Sequence, residues 1–384
     1  MRFLHTADWH IGRQLRGRSR TAEQEAFLQE ILDIASNEKI DLLLVAGDVF
    51  DSHAPPPDAE RMVYQFFAEL VGRKIPAVVI GGNHDHPKRL AAVRPMLDSL
   101  SIFIRPELKR SDDGGVFEFH VREETAQIAL IPWIPETKIV EACELLGPEE
   151  KWYSTYNERV VQIIGLLSAG FSPETINIIA GHVFVYGAET SGSERHVHVA
   201  HPFAVPPQRF PASAQYVALG HLHRPQRVEG PAPIHYCGSP LQLDFGEQGQ
   251  QKSVMIVEVR ANEPAAITEI PLTTGRRLRS VLGTIEELTR DADSYGGDFL
   301  RVTVRTDGPM PGLAAQVRDL LTNALDVQLD YPRMKAGPPE ASVRTLSPEE
   351  LFSRYYEATH GSPASAPLME TFRQLYTDAH DASD

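Results

Sequence analysis

The chain of 384 residues is long enough for two or three domains with ample core. It carries 37 Lys and Arg against 52 Asp and Glu, and the net charge of −15 argues against a uniformly basic nucleic-acid-binding module. The two cysteines, Cys143 and Cys237, offer no disulfide framework, and Asp8 interrupts the first apolar run before a signal-peptide core could form. Since no window is apolar enough to span a membrane, we expect a cytoplasmic enzyme without a membrane segment.

Five short apolar runs predict buried strands, because each is compact, rich in aliphatic residues and stopped by a polar motif. The runs and the motifs that end them are Arg2–Leu4 with Asp8-Trp9-His10, Ile40–Ala46 with Gly47-Asp48, Ala77–Ile80 with Gly82-Asn83-His84-Asp85, Ile176–Ala180 with Gly181-His182, and Tyr216–Leu219 with Gly220-His221-Leu222-His223. In open α/β sheets, ligands gather at the carboxyl ends of the strands. The pattern therefore predicts one shared site.

Between these runs, apolar residues recur with the period of an amphipathic helix. We predict helices over Thr21–Asn37, Pro57–Val71 and Leu90–Leu100. Alternating strands and helices of this kind predict an α/β fold.

A domain boundary is predicted near Pro271–Gly275. Beyond it, strands are predicted at Arg276–Leu282, Phe299–Arg305 and Val327–Leu329, with helices at Thr284–Arg290 and Leu313–Ala324. These elements would make a small α/β unit, followed by a Pro-rich linker at Lys335–Pro339.

The C-terminal tail predicts a helix pair. Ser347-Pro348-Glu349-Glu350 is typical of a capping box with Pro at the first helical position. Two apolar stripes follow: Leu351, Phe352, Tyr355 and Tyr356, then Leu368, Met369, Phe372, Leu375 and Tyr376. Two short helices cannot bury such stripes on each other alone. The stripes would either dock on a partner or pack back onto the chain's own small unit.

The polar motifs supply seven candidate metal ligands of carboxylate, imidazole and amide type. They are Asp8, His10, Asp48, Asn83, His182, His221 and His223. The absence of thiolate disfavours structural zinc and suits Mn²⁺, Fe²⁺ or Mg²⁺. If Asp48 bridges two ions, each ion receives four protein ligands, an arrangement suited to phosphoester hydrolysis.

A basic loop directly follows the first of these motifs. It contains Arg13, Arg16, Arg18 and Arg20 within eight residues. Arginines beside a metal site can hold phosphates bidentately, so we favour phosphate contact by Arg13, Arg16 and Arg18. The other interpretation is a solvated loop that balances the acidic start of the next helix at Glu23 and Glu25.

The order of these motifs resembles the calcineurin-like metallophosphoesterases, and within them the bacterial nuclease subunits that pair with an SbcC-type ATPase. The resemblance extends over Met1–Gly12, Ile40–Asp51, Ala77–Arg89, Ser191–Arg195, Tyr216–Arg227, Tyr236–Pro240 and Phe245–Val259. It implies that the seven residues are metal ligands, with Mn²⁺ the expected ion, and that His84 is the catalytic histidine. It also implies a β-sandwich flanked by helices, with exonuclease action on double-stranded DNA ends and endonuclease action on single strands or hairpins.

The same resemblance assigns roles to the remaining segments. Residues 1–270 would form the nuclease domain, 276–334 a capping domain facing DNA, and 345–378 a helical segment that binds the ATPase. No Gly-x-x-x-x-Gly-Lys-Ser/Thr loop is present, so ATP would have to bind another chain. The helices between the second and third ligand motifs and after the third would contact a second copy in a homodimer, or else only cover the sheet.

Asp51 has two interpretations. Phosphatase relatives use an Asp at this position to orient the catalytic histidine, which makes Asp51 a candidate partner of His84. Alternatively, its carboxylate stabilises the turn Asp51-Ser52-His53.

Two other functions remain open from the sequence. One is a phosphoesterase acting on nucleotides or phosphoproteins, against which the appended cap and tail argue. The other is a metal-free scaffold of the same fold, against which the intact Asp8, Asp48 and His84 argue.

Overall fold

The computed structural model describes residues 1–139, 155–194, 203–308, 310–331, 347–360 and 362–381, so the predicted linker Lys335–Pro339 lies outside the described residues. The strands in these ranges are β1 (Arg2–Thr6), β2 (Gln14–Leu15), β3 (Arg18–Ser19), β4 (Leu42–Ala46), β5 (Ala77–Ile80), β6 (Ile102–Arg105), β7 (Val116–Val121), β8 (Glu124–Ile131), β9 (Ile176–His182), β10 (Tyr216–Gly220), β11 (Gln226–Val228), β12 (Ile234–Tyr236), β13 (Ser253–Glu258), β14 (Ala266–Pro271), β15 (Leu278–Gly283), β16 (Phe299–Arg305) and β17 (Ala324–Asp330). The helices are α1 (Thr21–Asn37), α2 (Pro57–Gly72), α3 (Pro87–Asp98), α4 (Tyr156–Leu167), α5 (Ile285–Asp291), α6 (Leu313–Leu320), α7 (Pro348–His360) and α8 (Ala366–Asp381).

Two six-stranded sheets form the centre of the fold. The first has the order β14-β13-β1-β4-β5-β6, and the second has the order β11-β12-β10-β9-β8-β7. In the first sheet β1, β4, β5 and β6 run parallel. In the second sheet β8, β9, β10 and β12 run parallel. The five predicted apolar runs therefore form neighbouring parallel strands, three in one sheet and two in the other.

The sheets pack face to face and are covered by helices on their outer faces. Side chains from both sheets fill the space between them, among them Phe3, Leu44, Ile128 and Ile178. Helices α1, α2 and α3 bury their apolar faces on the first sheet, and α4 buries its apolar face on the second. This layered α/β sandwich is the predicted fold class.

The C-terminal three-stranded sheet, β15-β16-β17, carries α5 and α6 and has its own apolar core. Helix α5 begins with a capping box between Thr284 and Glu287. The helix predicted over Leu313–Ala324 is too long: α6 ends at Leu320, and β17 begins at Ala324. Leu321 leaves the helical conformation at φ −119° and ψ 87°. Its side chain and that of Ala324 are each 5% exposed, so packing into the core outweighs helical continuity.

The chain divides into two compact units. The first comprises residues 1–305 and 311–329, and the second comprises residues 306–310 and 330–384. Within the second unit, α7 starts at the predicted capping box, where Glu350 N–H donates to Ser347 Oγ and Ser347 N–H donates to Glu350 Oε2. In the part of the chain that the structure describes, no helix combines the length and apolarity needed to cross a bilayer.

Candidate dimetal centre

The loops after five parallel strands converge at one edge of the sandwich. Asp8 and His10 follow β1, Asp48 follows β4, and Asn83 and His84 follow β5. The second sheet supplies His182 from the last residue of β9, and His221 and His223 from the loop after β10. The carboxylate of Asp8 accepts a hydrogen bond from His221 N–H at 2.9 Å, which joins the two sheets directly. The structure therefore brings all seven predicted ligands together, and each is at least nine-tenths buried.

Four of the seven candidate ligands have backbones in the left-handed region. The φ angles are 53° at Asp8, 47° at His10, 51° at Asp48 and 95° at His221. Such conformations are costly for residues other than glycine and cluster at functional sites. Backbone hydrogen bonds hold the first two loops in register, since Asp8 N–H donates to Gly47 O and His10 N–H donates to Asp48 O, both at 3.0 Å.

Two glycines permit the close approach of these loops. A Cβ added at Gly82 would lie 2.1 Å from Asp48 Oδ1, and one added at Gly220 would lie 2.1 Å from the carbonyl oxygen of Ala46. Any side chain at either position would push ligand loops apart. The glycines in these motifs thus set the spacing of the ligands.

One group of candidate ligands surrounds the tip of His10. Its Nε2 lies 3.1 Å from Nε2 of His223 and 3.6 Å from Oδ2 of Asp48. Donor atoms of Asp8, His10 and His223 lie within 4.8 Å of one another. This spacing is compact enough for a single ion.

A second group surrounds the amide of Asn83. Its Oδ1 lies 3.0 Å from Nε2 of His182 and 2.9 Å from Nδ1 of His221. Nε2 of His182 lies 3.5 Å from Oδ2 of Asp48. The same oxygen of Asp48 thus faces both groups, as the predicted bridging role requires.

The electrostatics of the donor set fit divalent cations. Burial raises the pKa of Asp8 to about 7 and lowers the pKa of His10 to about 3. Burial is the largest influence on His182 and opposes a charge on it, but the charge and hydrogen bond of Asp48, the charge of Asp8 and the carbonyl of Ala46 together raise the pKa of His182 to about 9. A proton on His182 can compensate Asp48, and a divalent cation offers the same compensation with a higher charge.

The positions of the ring protons on His182 and His10 are also compatible with metal binding. Nδ1 of His182 donates to the carbonyl oxygen of Ala46 at 2.8 Å, and Nδ1 of His10 lies 3.2 Å from Oδ1 of Asp51. These contacts assign the proton to Nδ1 and leave Nε2 as the ligand atom. The residues present therefore fit a centre of two divalent cations.

His84 lies at the rim of this centre and is half-buried. Its backbone N–H donates to Oδ1 of Asp48 at 2.8 Å, and its ring packs edge-on against the ring of His10 at 4.6 Å. Its Nδ1 donates to the backbone carbonyl of Asp51 at 2.7 Å. The contact between Asp51 and His84 thus runs through the main chain of Asp51.

The carboxylate of Asp51 points to other partners. It lies 3.2 Å from Nδ1 of His10 and accepts a hydrogen bond from Nη1 of Arg13 at 3.1 Å. Burial opposes its ionisation, but His10 and Arg13 together lower the pKa of Asp51 below its ordinary value. Asp51 therefore braces a candidate ligand with its side chain and His84 with its backbone.

The basic loop forms the β2–β3 hairpin beside the centre. Arg13 pairs with Asp51, and Arg16 lies 3.6 Å from Asp244, with its side chain 47% exposed. Arg18 is exposed on β3. Arg20, by contrast, is buried and pairs with Glu23, so it serves packing.

Sequence reasoning left two buried polar residues of the site without a role. Asp85 accepts hydrogen bonds from Val49 N–H, Phe50 N–H and Gly82 N–H, which ties the loop of Asp48 to the loop of Asn83. Burial raises the pKa of Asp85 to about 6. Gln24 on α1 donates to the carbonyl oxygens of His10 and Arg13. Asp85 was visible as the end of a ligand motif, but the sequence around Gln24 carries no such signal.

Trp133 was also missed. Its ring stacks on the ring of His221 at a centroid distance of 5.2 Å, and its backbone N–H donates to Gly81 O. The residue follows β8, which the sequence had not predicted. An aromatic wall thus lies against the second group of ligands.

Comparisons of sequence and structure relate the chain to known proteins. A family model described as calcineurin-like phosphoesterase matches residues 1–225, and one described as Type 5 capsule protein repressor C-terminal domain matches residues 274–360. The SbcD subunit of nuclease SbcCD from Bacillus subtilis (strain 168) is 36% identical, over 98% of this chain and 97% of the relative. The SbcD subunit of nuclease SbcCD from Escherichia coli (strain K12) is 29% identical, over 92% of each. A solved dimetal phosphatase from Danio rerio has a TM-score of 0.39 and 13% identity, covering 70% of this chain and 98% of that one.

The fold and the site together define a calcineurin-like phosphoesterase. Within that class the chain belongs to the family of the SbcD subunits of nuclease SbcCD. The resemblance inferred from the ligand motifs is thereby confirmed.

Proposed function

We propose that the chain is a metal-dependent DNA nuclease that acts with an SbcC-type ATPase in DNA repair and recombination. One observation supports the chemistry: Oδ2 of Asp48 lies 3.6 Å from His10 Nε2 and 3.5 Å from His182 Nε2, between the two groups of candidate ligands. The names of the relatives, SbcD subunits of nuclease SbcCD, support the substrate class and the partner.

Two bound cations would activate water and neutralise charge on the scissile phosphate. Asp8, His10, Asp48 and His223 would hold one of them, and Asp48, Asn83, His182 and His221 the other. We favour Mn²⁺, with Mg²⁺ or Fe²⁺ as the other candidates, because the donors are oxygen and imidazole nitrogen without thiolate.

His84 is the proposed general acid. Its Nδ1–H is held by the carbonyl oxygen of Asp51 at 2.7 Å, which fixes the ring and leaves Nε2 to deliver a proton to the leaving oxygen. A cationic imidazole at this position would also stabilise negative charge that develops on the phosphate. Asp51 positions His84 in this scheme through its backbone.

Arg13, Arg16 and Arg18 are proposed to contact the DNA backbone beside the centre. The guanidinium of Arg13 already pairs with Asp51, so a phosphate would have to share it with that carboxylate. Arg16 and Arg18 are exposed. We expect exonuclease action on duplex ends and endonuclease action on single strands or hairpins, with residues 276–334 facing the duplex.

Two surfaces are proposed for protein partners. The tail helices α7 and α8 would bind the SbcC-type ATPase. A second copy of the chain would pack against α2 and α3, where Met96 is 58% exposed and Leu100 just beyond is 44% exposed.

The test is an assay of end-labelled duplex and hairpin DNA with Mn²⁺, with Mg²⁺ and with chelator. Metal-dependent shortening of the duplex and opening of the hairpin are expected, and Asp48→Ala serves as the inactive control. Hydrolysis of a generic phosphodiester without cleavage of either DNA would instead identify a phosphoesterase for small substrates. Purified protein that binds no metal and cleaves nothing would identify a scaffold.

A further inference from the structure

A buried ion pair lies directly behind His223. Oε2 of Glu247 lies 2.6 Å from Nζ of Lys252, and the two side chains are 0% and 5% exposed. Neither residue is a candidate ligand, and both belong to the loop between β12 and β13. A buried ion pair stabilises a fold poorly, because desolvation offsets much of the attraction. Its position therefore calls for a role besides packing.

The carboxylate of Glu247 reaches the ring of His223 by two routes. Oε1 lies 3.3 Å from Nδ1 of His223. The hydroxyl of Ser193 lies 2.6 Å from the same nitrogen and donates to the same carboxylate oxygen. Nδ1 of His223 thus donates toward an anion, and its Nε2 faces Nε2 of His10 at 3.1 Å. A carboxylate behind a histidine ligand fixes its tautomer and raises its basicity.

The backbone of His223 is held by the same network. Nζ of Lys252 donates to the carbonyl oxygen of His223 at 2.7 Å, and Glu194 accepts from the N–H of His223 at 3.1 Å. The remaining donors of Lys252 reach Ser239 and Gln250. Ring and main chain of this one residue are therefore both positioned by charged side chains.

Other histidines of the centre are braced differently. Nδ1 of His182 donates to a backbone carbonyl, that of Ala46. His10 relies on Asp51, whose side chain is 30% exposed. Glu247, whose side chain is fully buried, is thus better shielded from solvent than Asp51, and it lies behind His223.

We infer that Ser193, Glu247 and Lys252 form a positioning relay that presents His223 to the cation shared with Asp8 and His10 and sets the affinity for that cation. The lysine neutralises the glutamate, so that the relay orients His223 without adding net charge to the buried centre. The inference rests on the proposed two-cation centre and assigns these three residues to one half of it.

The test measures Mn²⁺ binding to chelator-treated full-length protein by calorimetric titration, with electron paramagnetic resonance to distinguish a coupled ion pair from a single ion. Ser193→Ala interrupts the relay and leaves the ion pair in place. Glu247→Gln combined with Lys252→Met removes both charges of the pair together. In both variants we expect one of the two sites to weaken by about 10- to 100-fold and the coupled signal to give way to that of a single ion.

Two controls separate positioning from stability. Ser193→Thr keeps the hydroxyl and should restore binding. Glu30→Gln changes another glutamate that accepts four hydrogen bonds, from Thr273 and Thr274, and should leave both sites at wild-type affinity. Thermal melting of every variant is recorded beside the titrations.

The outcomes distinguish the relay from the centre itself. If wild type binds two coupled Mn²⁺ ions and both relay variants do so with unchanged affinity, the relay is overturned and the centre stands. If wild type never binds a coupled pair, the proposed centre fails and the relay fails with it. Equal weakening of both sites in Ser193→Ala would also overturn the relay, because the Ser193 hydroxyl reaches the candidate ligands through His223.

Discussion

Oδ2 of Asp48 faces both ligand groups, at 3.6 Å from His10 Nε2 and 3.5 Å from His182 Nε2. Asp48→Ala should therefore remove a bond to each cation, and bound Mn²⁺ and nuclease activity should fall together. Metal content after gel filtration and cleavage of labelled duplex DNA measure the two quantities. Full activity with two metals retained per chain would refute the bridging role.

Substitution of His84 tests catalysis separately from metal binding. Its side chain is anchored by the carbonyl oxygen of Asp51, and the remaining ligands can complete both groups without it. His84→Ala should keep two metals yet lose roughly 10²–10⁴ in rate, the usual value of a positioned acid or base. His120→Ala, at an exposed histidine of β7, is the matched control and should cleave DNA at the wild-type rate.

The alternative for His84 has a structural basis, since its ring nitrogen, a nitrogen of His10 and an oxygen of Asp48 lie within 4.8 Å of one another. If His84→Ala loses one of its two metals, His84 is a ligand and the proton donor lies elsewhere.

Among the elements, the β2–β3 hairpin carries the arginines proposed to hold DNA. Replacing Arg13, Arg16 and Arg18 together with Ala should flatten the dependence of duplex affinity on salt, by about 0.9 in logarithmic slope for each phosphate that is no longer neutralised. The pairing of Arg13 with Asp51 makes Arg16 and Arg18 the larger contributors. Binding measured between low and moderate salt gives the slope, and an unchanged slope would support a solvated loop.

The strands that end in ligands could be predicted because they are buried on both faces and form continuous apolar runs. The β7–β8 hairpin was not predicted, although Phe117, Phe119 and Val121 alternate with the exposed Glu118 and His120 along β7, which is the pattern of a half-buried strand. The end of α6 was misplaced because burial of Leu321 in a core formed by distant strands decides it.

The candidate site likewise contains residues that the sequence could predict and contacts that it could not. Asp8, Asp48 and His84 stand out because each follows a predicted strand. The main-chain contact of Asp51 with His84 depends on the path of the loop, which composition does not reveal. Glu247 and Lys252 lie far along the chain from His223 and meet it only because β10 and β13 belong to facing sheets.

At the scale of the whole molecule, the tail is proposed as the docking segment for the ATPase. In α7 and α8, Phe352 stacks on Phe372 at 4.2 Å, while Tyr355 and Leu375 are 66% and 63% exposed. Removing residues 345–384 should leave a folded chain that cleaves short single-stranded DNA, and should abolish co-purification with an SbcC-type ATPase. Exposed apolar side chains of this kind are suited to packing against the helices of a partner protein.

Point variants sharpen this prediction. Tyr355→Asp with Leu375→Asp should weaken co-purification, whereas Leu166→Asp, at a 46% exposed leucine of α4, should not. A truncated chain that unfolds, or one that still binds the ATPase at full strength, would show that the tail serves its own protein instead.

The division of the ligands between two sheets has a consequence for folding. Asp8, His10, Asp48 and Asn83 follow strands of the first sheet, and His182, His221 and His223 come from the second, so bound ions would join the halves of the sandwich. An ion that binds only the folded chain raises the free energy of unfolding by about 2.7 kcal/mol when its free concentration is 100 times its Kd. Chelation should therefore lower Tm in wild type and have little effect in Asp48→Ala. If wild type has the same Tm with and without chelator, the two sheets associate fully without ions. Otherwise the cations proposed for catalysis are also a thermodynamic link between the sheets, and metal supply would set the fraction of the enzyme that is folded.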